Sequence, residues 1–421
     1  MRYVKAPAPP EAAVTQEIRD TVSEVLSAVE RDGDAAVRRY SERFDAWSPP
    51  SFRVGADQIE AASREVPDEL REHIAFAQRQ VRGFAELQRA TLTDFEHETL
   101  PGVVLGQRHI PVSAVGSYSP GGRYPMLASA IMTVVTPKVA GVDRVVAAAP
   151  PVRGGAGIHP PQLYAMASSG ADEILALGGV QAFAALAFGV EDVEPVDMVV
   201  GAGNAYVAEA KRQLFGTVGI DLLAGPTEIL VIADDAADPD LVAADLLGQA
   251  EHGPTSPAVL VTTSEDLAAA VEASLERWLE TWPTAEVAGA AWRVHGAIVI
   301  ADDDNEVVRV ADEIATEHLE IQTSDPDWFL DRLTNYGSAF VGAGATVAFS
   351  DKAIGTNHVL PTGRAARYTG GLWVGKFLKT VTYQRVTAEG IRAVAPATAA
   401  ICDAEGFGGH AITARVRLQG A

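Results

Sequence analysis

Residues 196–215 read VDMVVGAGNAYVAEAKRQLF, and this stretch decides the fold. A β-branched run, VDMVV (196–200), stops at Gly201-Ala202-Gly203, and apolar residues then recur at helical spacing from Asn204 onward. Strand, glycine turn and helix in that order form the repeating unit of a parallel sheet, and the turn can present backbone N–H groups to a phosphate. The third glycine of a dinucleotide fingerprint is replaced by Tyr206, so the same residues also read as a plain tight turn.

The pattern repeats on both sides. Strands are expected at 110–115, 143–148, 172–177, 196–200 and 229–233, with helices near 127–140, 161–169, 180–188 and 204–215 between them. Gly141-Val-Asp143-Arg-Val-Val146 is echoed by Gly170-Ala-Asp172-Glu-Ile-Leu175, each a helix-ending glycine before a buried strand. A second series follows, with strands at 229–233, 258–262, 297–301 and 338–342 and helices near 238–251, 265–279, 304–316 and 326–335. Helical spacing also runs from Thr15 to about Phe44 and from Asp57 to about Leu92, and the region from Leu372 onward reads as helical. The expected fold class is α/β, with two Rossmann-like lobes carrying parallel sheets. The expected division is an N-terminal arm (1–20), a first lobe carrying the catalytic and zinc residues (21–118 plus 230–371), a second lobe on the NAD side (119–229), and a C-terminal tail (372–421).

Composition removes function classes rather than assigning one. The chain has 421 residues, 48% hydrophobic and 21% charged, which is ordinary globular composition. A formal charge of −23 argues against nucleic-acid binding and against an anionic membrane surface. The single cysteine, Cys402, excludes an intrachain disulfide and a CxxC redox pair, and it reads as a small packing residue. Without an apolar leader or a membrane-length run, the expectation is a soluble, cytoplasmic protein.

Several short constellations carry chemistry. Gln249 and His252, three apart, close a helix that Gly253-Pro254 stops; they could ligate a metal, or His252 could simply cap the last carbonyls. Glu317-His318 pairs an acid with an imidazole, fit for proton transfer though also commonplace on a helix end. Asp351 and His358 lie in the polar stretch SDKAIGTNHVLPTG, and His410 follows a flexible Gly406-Phe-Gly-Gly409, with Glu405 five residues before it. Gln249, His252, Asp351 and His410 together make an N/O donor set suited to zinc without a thiolate. Arg123, in the turn Tyr118-Ser-Pro-Gly121-Gly122-Arg123, could hold an anion.

AGPTEILVIAD (224–234), DLLGQAEHGP (245–254), TEHLEIQ (316–322) and GTNHVLP (355–361) resemble the histidinol dehydrogenase family. That resemblance implies a homodimer of two-lobed subunits in which the tail of one chain reaches the partner's site. It implies one Zn2+ and the use of NAD to oxidise a small polar primary alcohol through an aldehyde to a carboxylate. Carried over position by position, Gln249, His252, Asp351 and His410 would bind the metal and, with it, the substrate. Glu317 and His318 would be the acid/base pair, and Thr227, His358 and Glu405 would contact substrate. Tyr118, Gln181 and Asn204 would contact NAD. With Cys402 far from every motif, aldehyde oxidation would run through activated water rather than a thiohemiacetal.

PGGRYPMLASAIM (120–132) and YTGGLWVGKFLKT (368–380) are instead similar to the sulfopropanediol dehydrogenase branch of the family, with Lys376 where histidinol-oxidising members carry an acid. Arg123, and less directly Lys376 or Arg367, would then neutralise an anionic substrate end; the alternative is that these cations line a surface or a dimer contact. L-Histidinol is the alternative substrate. A zinc hydrolase with Glu317 as base, and an inactive binding protein, are the readings from other classes.

Overall fold

The computed structural model describes residues 1–8, 14–121, 124–155 and 157–421. Arg123 therefore lies outside the described residues. Two parallel sheets dominate. The first has strands β1 (Ala114–Tyr118), β2 (Arg144–Ala149), β3 (Glu173–Ala176), β4 (Met198–Val200) and β5 (Gly219–Ile220) in the order β3-β2-β1-β4-β5. The second has β6 (Ile229–Ala233), β7 (Ala258–Thr262), β8 (Gly296–Ile300), β9 (His318–Gln322) and β10 (Ser338–Val341) in the order β8-β7-β6-β9-β10. Arg2–Lys5 adds an antiparallel strand to the free edge of β8. The two sheets thus repeat one strand order, and each has a switch point where that order reverses.

The central strands are buried on both faces because alternate residues enter different cores. In β2, Val145 and Ala147 pack with the helices Leu127–Ala140 and Pro160–Ser169, whereas Val146 and Ala148 pack with Gly179–Phe188 and Ala205–Leu214. Gly141 and Gly170 end their helices in the left-handed conformation, φ 93° and 100°, as the repeated Gly-x-Asp motif predicts.

Four elements differ from the sequence expectation. Helices within residues 16–90 pack on the first sheet: Val22, Val25 and Val29 join one of its cores, and Ile74, Ala77 and Val81 the other. With Ala114–Tyr118 central in that same sheet, the boundary expected at 118/119 falls inside a lobe, and residues 16–90 pack with the first sheet rather than with the second. The N-terminal segment is partly an edge strand rather than an arm. The region after Leu372 is not wholly helical, since Leu378–Val386 pairs antiparallel with Val103–Pro111, which pairs in turn with Phe95–Leu100. Finally, the helix expected over 304–316 stops at Ile314, where Ala315 turns left-handed at φ 52°, and Glu317-His318 open a strand instead of closing a helix.

The tail ends in the helices Ala388–Ala404 and Gly408–Gln419, which pack on each other. Among the described residues no helix is long and apolar enough to cross a membrane.

Candidate active site

The chemistry-bearing side chains of the second lobe gather at the amino ends of β6 and β9. Thr227 and Glu228 precede β6, Glu317 precedes β9 and His318 opens it. Gln249 ends the helix Pro239–Ala250, which returns antiparallel to the strands and so delivers its C-terminus to their amino ends; His252 follows in the next turn. Asp351 lies on the helix Val347–Lys352. Of the residues singled out from sequence, Thr227, Gln249, His252, Glu317, His318, Asp351 and His358 come together.

Hydrogen bonds order this cluster. Gln249 Nε2 donates to Thr227 Oγ1, whose hydroxyl donates to Glu317 Oε2; the Glu228 N–H reaches the same Glu317 oxygen at 3.1 Å. With its nitrogen spent on Thr227, Gln249 has Oε1 left to offer a metal. His318 Nδ1 faces the Glu228 carbonyl at 3.0 Å and the Gln249 amide nitrogen at 3.3 Å; the shorter contact assigns the proton to Nδ1, and Nε2 is then the basic atom. That Nε2 is buried, has no hydrogen-bond partner among the described residues, and lies 3.9 Å from Asp351 Oδ1. His252 Nε2 stands 3.7 Å from the other Asp351 oxygen.

Burial sets the protonation states. It pushes His318 down to about 4, so the ring is neutral near pH 7. It also pushes Glu317 well above the carboxylate range, against the pull of the Thr227 hydroxyl and the Glu228 N–H. His252 and His358 are likewise lowered by burial. Burial acts to raise Asp351, but His358, Lys352, His318 and His252 outweigh it and hold the carboxyl low. The result is an ionised carboxylate among neutral imidazoles, which is the donor state a divalent metal needs. Gln249, His252 and Asp351 therefore fit a metal as three donors from one chain, although no group of three or more His, Cys, Asp or Glu residues converges on one point among the described residues.

His358 is tied within the protein at both ring nitrogens. Nδ1 faces the Asp351 carbonyl at 3.2 Å, and Nε2 accepts from Ser129 Oγ at 2.8 Å. Because Ser129 belongs to the helix Leu127–Ala140 of the first lobe, this imidazole joins the lobes. Glu405 and His410 are not brought to the cluster: both are exposed on the tail, and the His410 ring stacks edge-on with Phe407. Lys376 is half-buried rather than exposed, and its ammonium donates to Thr369 Oγ1 at 3.0 Å, not to any member of the cluster. Cys402 is half-buried rather than packed in a core.

The residues expected to meet the cofactor surround the switch point of the first sheet, at its carboxyl ends. Tyr118 ends β1; its hydroxyl accepts the Gly179 N–H at 3.1 Å, and burial pushes it up to about 12. Gln181 donates to Asp45 at 2.8 Å, and Asn204 caps the helix Ala205–Leu214 by accepting from the Tyr206 and Val207 N–H groups. Gly201 is required sterically: at φ 126°, a Cβ would meet the Tyr118 carbonyl oxygen at 2.1 Å. Both backbone polar groups of Gly201 are held by a buried ion pair, since Lys211 Nζ donates to its carbonyl and Asp221 accepts its N–H, each at 2.8 Å.

The family model for histidinol dehydrogenase matches residues 9–418. The chain belongs to the histidinol dehydrogenase family. A histidinol dehydrogenase homolog of Shouchella clausii is 55% identical, with 96% of this chain and 94% of that protein covered. The sulfopropanediol 3-dehydrogenase of Ruegeria pomeroyi is 47% identical over 99% of this chain and 96% of that protein. The crystal structure of histidinol dehydrogenase from Elizabethkingia anophelis superposes with a TM-score of 0.93 at 32% identity, covering 98% of this chain and 94% of that one. Membership makes the chain an NAD-dependent dehydrogenase by family, with the α/β fold read from its strand–helix alternation.

Within this histidinol dehydrogenase framework, sequence reading passed over Glu228, Ser129, Lys211 and Asp221. Glu228 was detectable, since it adjoins Thr227 and, on the same peptide units, holds both Glu317 and His318. Ser129 and the Lys211–Asp221 pair carry no local signal, because their partners lie 229 and ten residues away in sequence, respectively.

Proposed function

We propose that this chain is a zinc-dependent, NAD+-linked dehydrogenase that carries a primary alcohol through the aldehyde to the carboxylate, with a small anionic diol such as 2,3-dihydroxypropane-1-sulfonate as substrate. The observation that carries the chemistry is His318: a neutral, buried imidazole whose Nε2 has no hydrogen-bond partner among the described residues and lies 3.9 Å from Asp351. Such a nitrogen takes a proton from a hydroxyl placed beside it as hydride departs to NAD+. Glu317, in the ionised form that the Thr227 hydroxyl and the Glu228 N–H stabilise against burial, then takes the proton of the water that attacks the aldehyde, and a second hydride transfer follows. The balance is one alcohol, one water and two NAD+ giving one carboxylate, two NADH and three protons.

Gln249 Oε1, His252 and Asp351 would hold the zinc ion, which when bound supplies Lewis-acid polarisation and orients the substrate oxygens. The fourth donor would be His410 of a second copy, with Glu405 of that copy entering the same site. Support comes from the tail itself, a helical hairpin packed mainly on its own partner helix with Ile401, Phe407 and Ile412 more than half exposed. The homodimer reading is tested by mixing H410A with H318Q, each inactive alone; activity that fails to return on mixing would sink tail exchange.

NAD+ would lie along Tyr118, Gln181 and Asn204, drawn from the cytoplasmic pool, where α/β sheets receive dinucleotides at a switch point. For the substrate, the supporting observations are the 47% identity to a sulfopropanediol 3-dehydrogenase and the Lys376 substitution; Arg123 remains part of this reading on sequence alone. Steady-state assay on 2,3-dihydroxypropane-1-sulfonate and on L-histidinol decides. Preference for histidinol overturns the anionic substrate, and one NADH per alcohol overturns the four-electron reaction.

A further inference from the structure

Directly behind the cluster, one amide joins two carboxyl groups, and among the described residues no Lys or Arg pairs with either. Glu320, on β9, is fully buried, and its neighbours are another carboxyl, an amide and a backbone N–H. One of its oxygens accepts the Val347 N–H at 3.1 Å, and the other accepts from Gln322 Nε2 at 3.1 Å. The Gln322 amide bridges Glu320 to the carboxyl of Asp245. Asp245 accepts from Gln322 Nε2 at 2.8 Å and from the hydroxyl of Thr346, the N-cap of the helix Val347–Lys352, at 2.9 Å. Burial first, and the neighbouring Asp245 carboxyl second, push Glu320 well above the carboxylate range.

The placement of this network gives it meaning. Asp245 lies four residues before Gln249 on one helix, and Val347 lies four residues before Asp351 on another, so each shares a helix face with a metal-ligand candidate one turn away. Glu320 lies two residues after His318 and therefore on the same face of its strand. Three elements that carry the site are thus tied together one turn, or one strand repeat, behind the working atoms.

We propose that the Asp245–Glu320 pair, with Thr346 and Gln322, is a positioning clamp that sets the separation of Gln249 and Asp351 and thereby the affinity of the site for a divalent metal. The inference rests on the zinc reading given above. The clamp needs hydrogen-bonding capacity at position 320 and no net charge there.

The test is Zn2+ affinity of the full-length protein, measured by competition with a chromophoric chelator well below the unfolding temperature. E320L is expected to weaken Zn2+ binding by about 10–100-fold, the range found when groups behind metal ligands are removed. E320Q, which keeps the shape and can donate to Asp245, should stay within a few-fold of wild type. T346V should lose several-fold and T346S should restore it, which supplies a reading even if E320L does not fold. Wild-type affinity in T346V, or in a folded E320L, overturns the clamp. Equal losses in E320L and E320Q do so as well. Wild-type protein that takes up no Zn2+ overturns the metal reading and the clamp with it.

Discussion

The two lobes share a strand order and put it to different use. In the first, the turns at the carboxyl ends of β1 and β4 meet around Gly201, and the buried charge there is balanced by an opposite charge, Lys211 against Asp221 at 2.5 Å. In the second, the reactive side chains stand at the amino ends of β6 and β9, and Glu317 and Glu320 are raised far above the carboxylate range by burial. Shared topology therefore does not fix which end of a sheet does the work. Residues just before a strand can build a site as well as the loops after it, provided that a returning helix such as Pro239–Ala250 brings its C-terminus to the same end. The difference also separates two electrostatic arrangements, a buried counter-charge in one lobe and acids raised by burial in the other.

The comparison can be broken at several points. H318Q removes the basic nitrogen but fills its space, so kcat should fall by about 10²–10⁴-fold with the unfolding midpoint little changed. Loss of stability without loss of turnover would demote His318 to packing. In the first lobe the effect should be on stability: K211M leaves Asp221 buried and uncompensated, at a cost of about 3–5 kcal/mol in urea unfolding, and the double variant K211M/D221L should recover most of it. A loss below about 1 kcal/mol for K211M would end the contrast between the two arrangements.

Two glycines offer a matched pair. A Cβ at Gly201 would meet the Tyr118 carbonyl oxygen at 2.1 Å, and one at Gly337 would meet the Glu317 carbonyl oxygen at 2.6 Å. G201A should cost about 1–3 kcal/mol from backbone strain and raise KM for NAD+. G337A should act on kcat instead, by up to about 10²-fold if Glu317 shifts by 1 Å. The reverse assignment of KM and kcat effects would exchange the roles given to the lobes.

The smallest expected effect concerns pH. Burial raises Glu228 from 4.5 to about 7, so the fold binds more protons than the unfolded chain between those values; this contribution is full below about pH 4.5 and is lost as pH rises through 7. His318, lowered from 6.5 to about 4, has the opposite slope, its contribution being lost as pH falls through that window. In chelator-treated protein the two oppose each other, and E228Q should uncover a loss of stability on acidification from pH 6.5 that wild type masks. An unchanged profile would show that Glu228 is already ionised at pH 5.

Much of this architecture was legible in particular residues. Glycines 141 and 170, each followed by x-Asp and a β-branched run, announced the helix–strand junctions that the fold contains. The motif residues of the cluster were legible through four motifs in order, AGPTEILVIAD, DLLGQAEHGP, TEHLEIQ and GTNHVLP, rather than by residue type, since the chain has 56 acidic residues. The strand at β9 was missed although HLEIQ alternates polar and apolar, since the preceding helical pattern seemed to run on to Thr316. Its polar face holds His318, Glu320 and Gln322 against the helix Pro239–Ala250, whereas Leu319 and Ile321 enter the opposite core. A buried carboxyl in the middle of a short strand defies the usual reading of charge as surface. The packing of residues 16–90 on the first sheet was hidden for another reason: amphipathic helices announce a buried face, not which sheet it covers.

The strand Arg2–Lys5 has a practical consequence. It occupies the rim of β8, where an open row of backbone donors and acceptors would otherwise invite another chain to add on. Its backbone pairs with Ile298, Val299 and Ile300, and the Lys5 ammonium donates to the Arg293 carbonyl at 3.1 Å. A purification tag fused at this end would pull on that seal, and a cleavable C-terminal tag would instead sit on the hairpin that carries His410. For handling this enzyme, an untagged preparation keeps both the sheet rim and the tail intact.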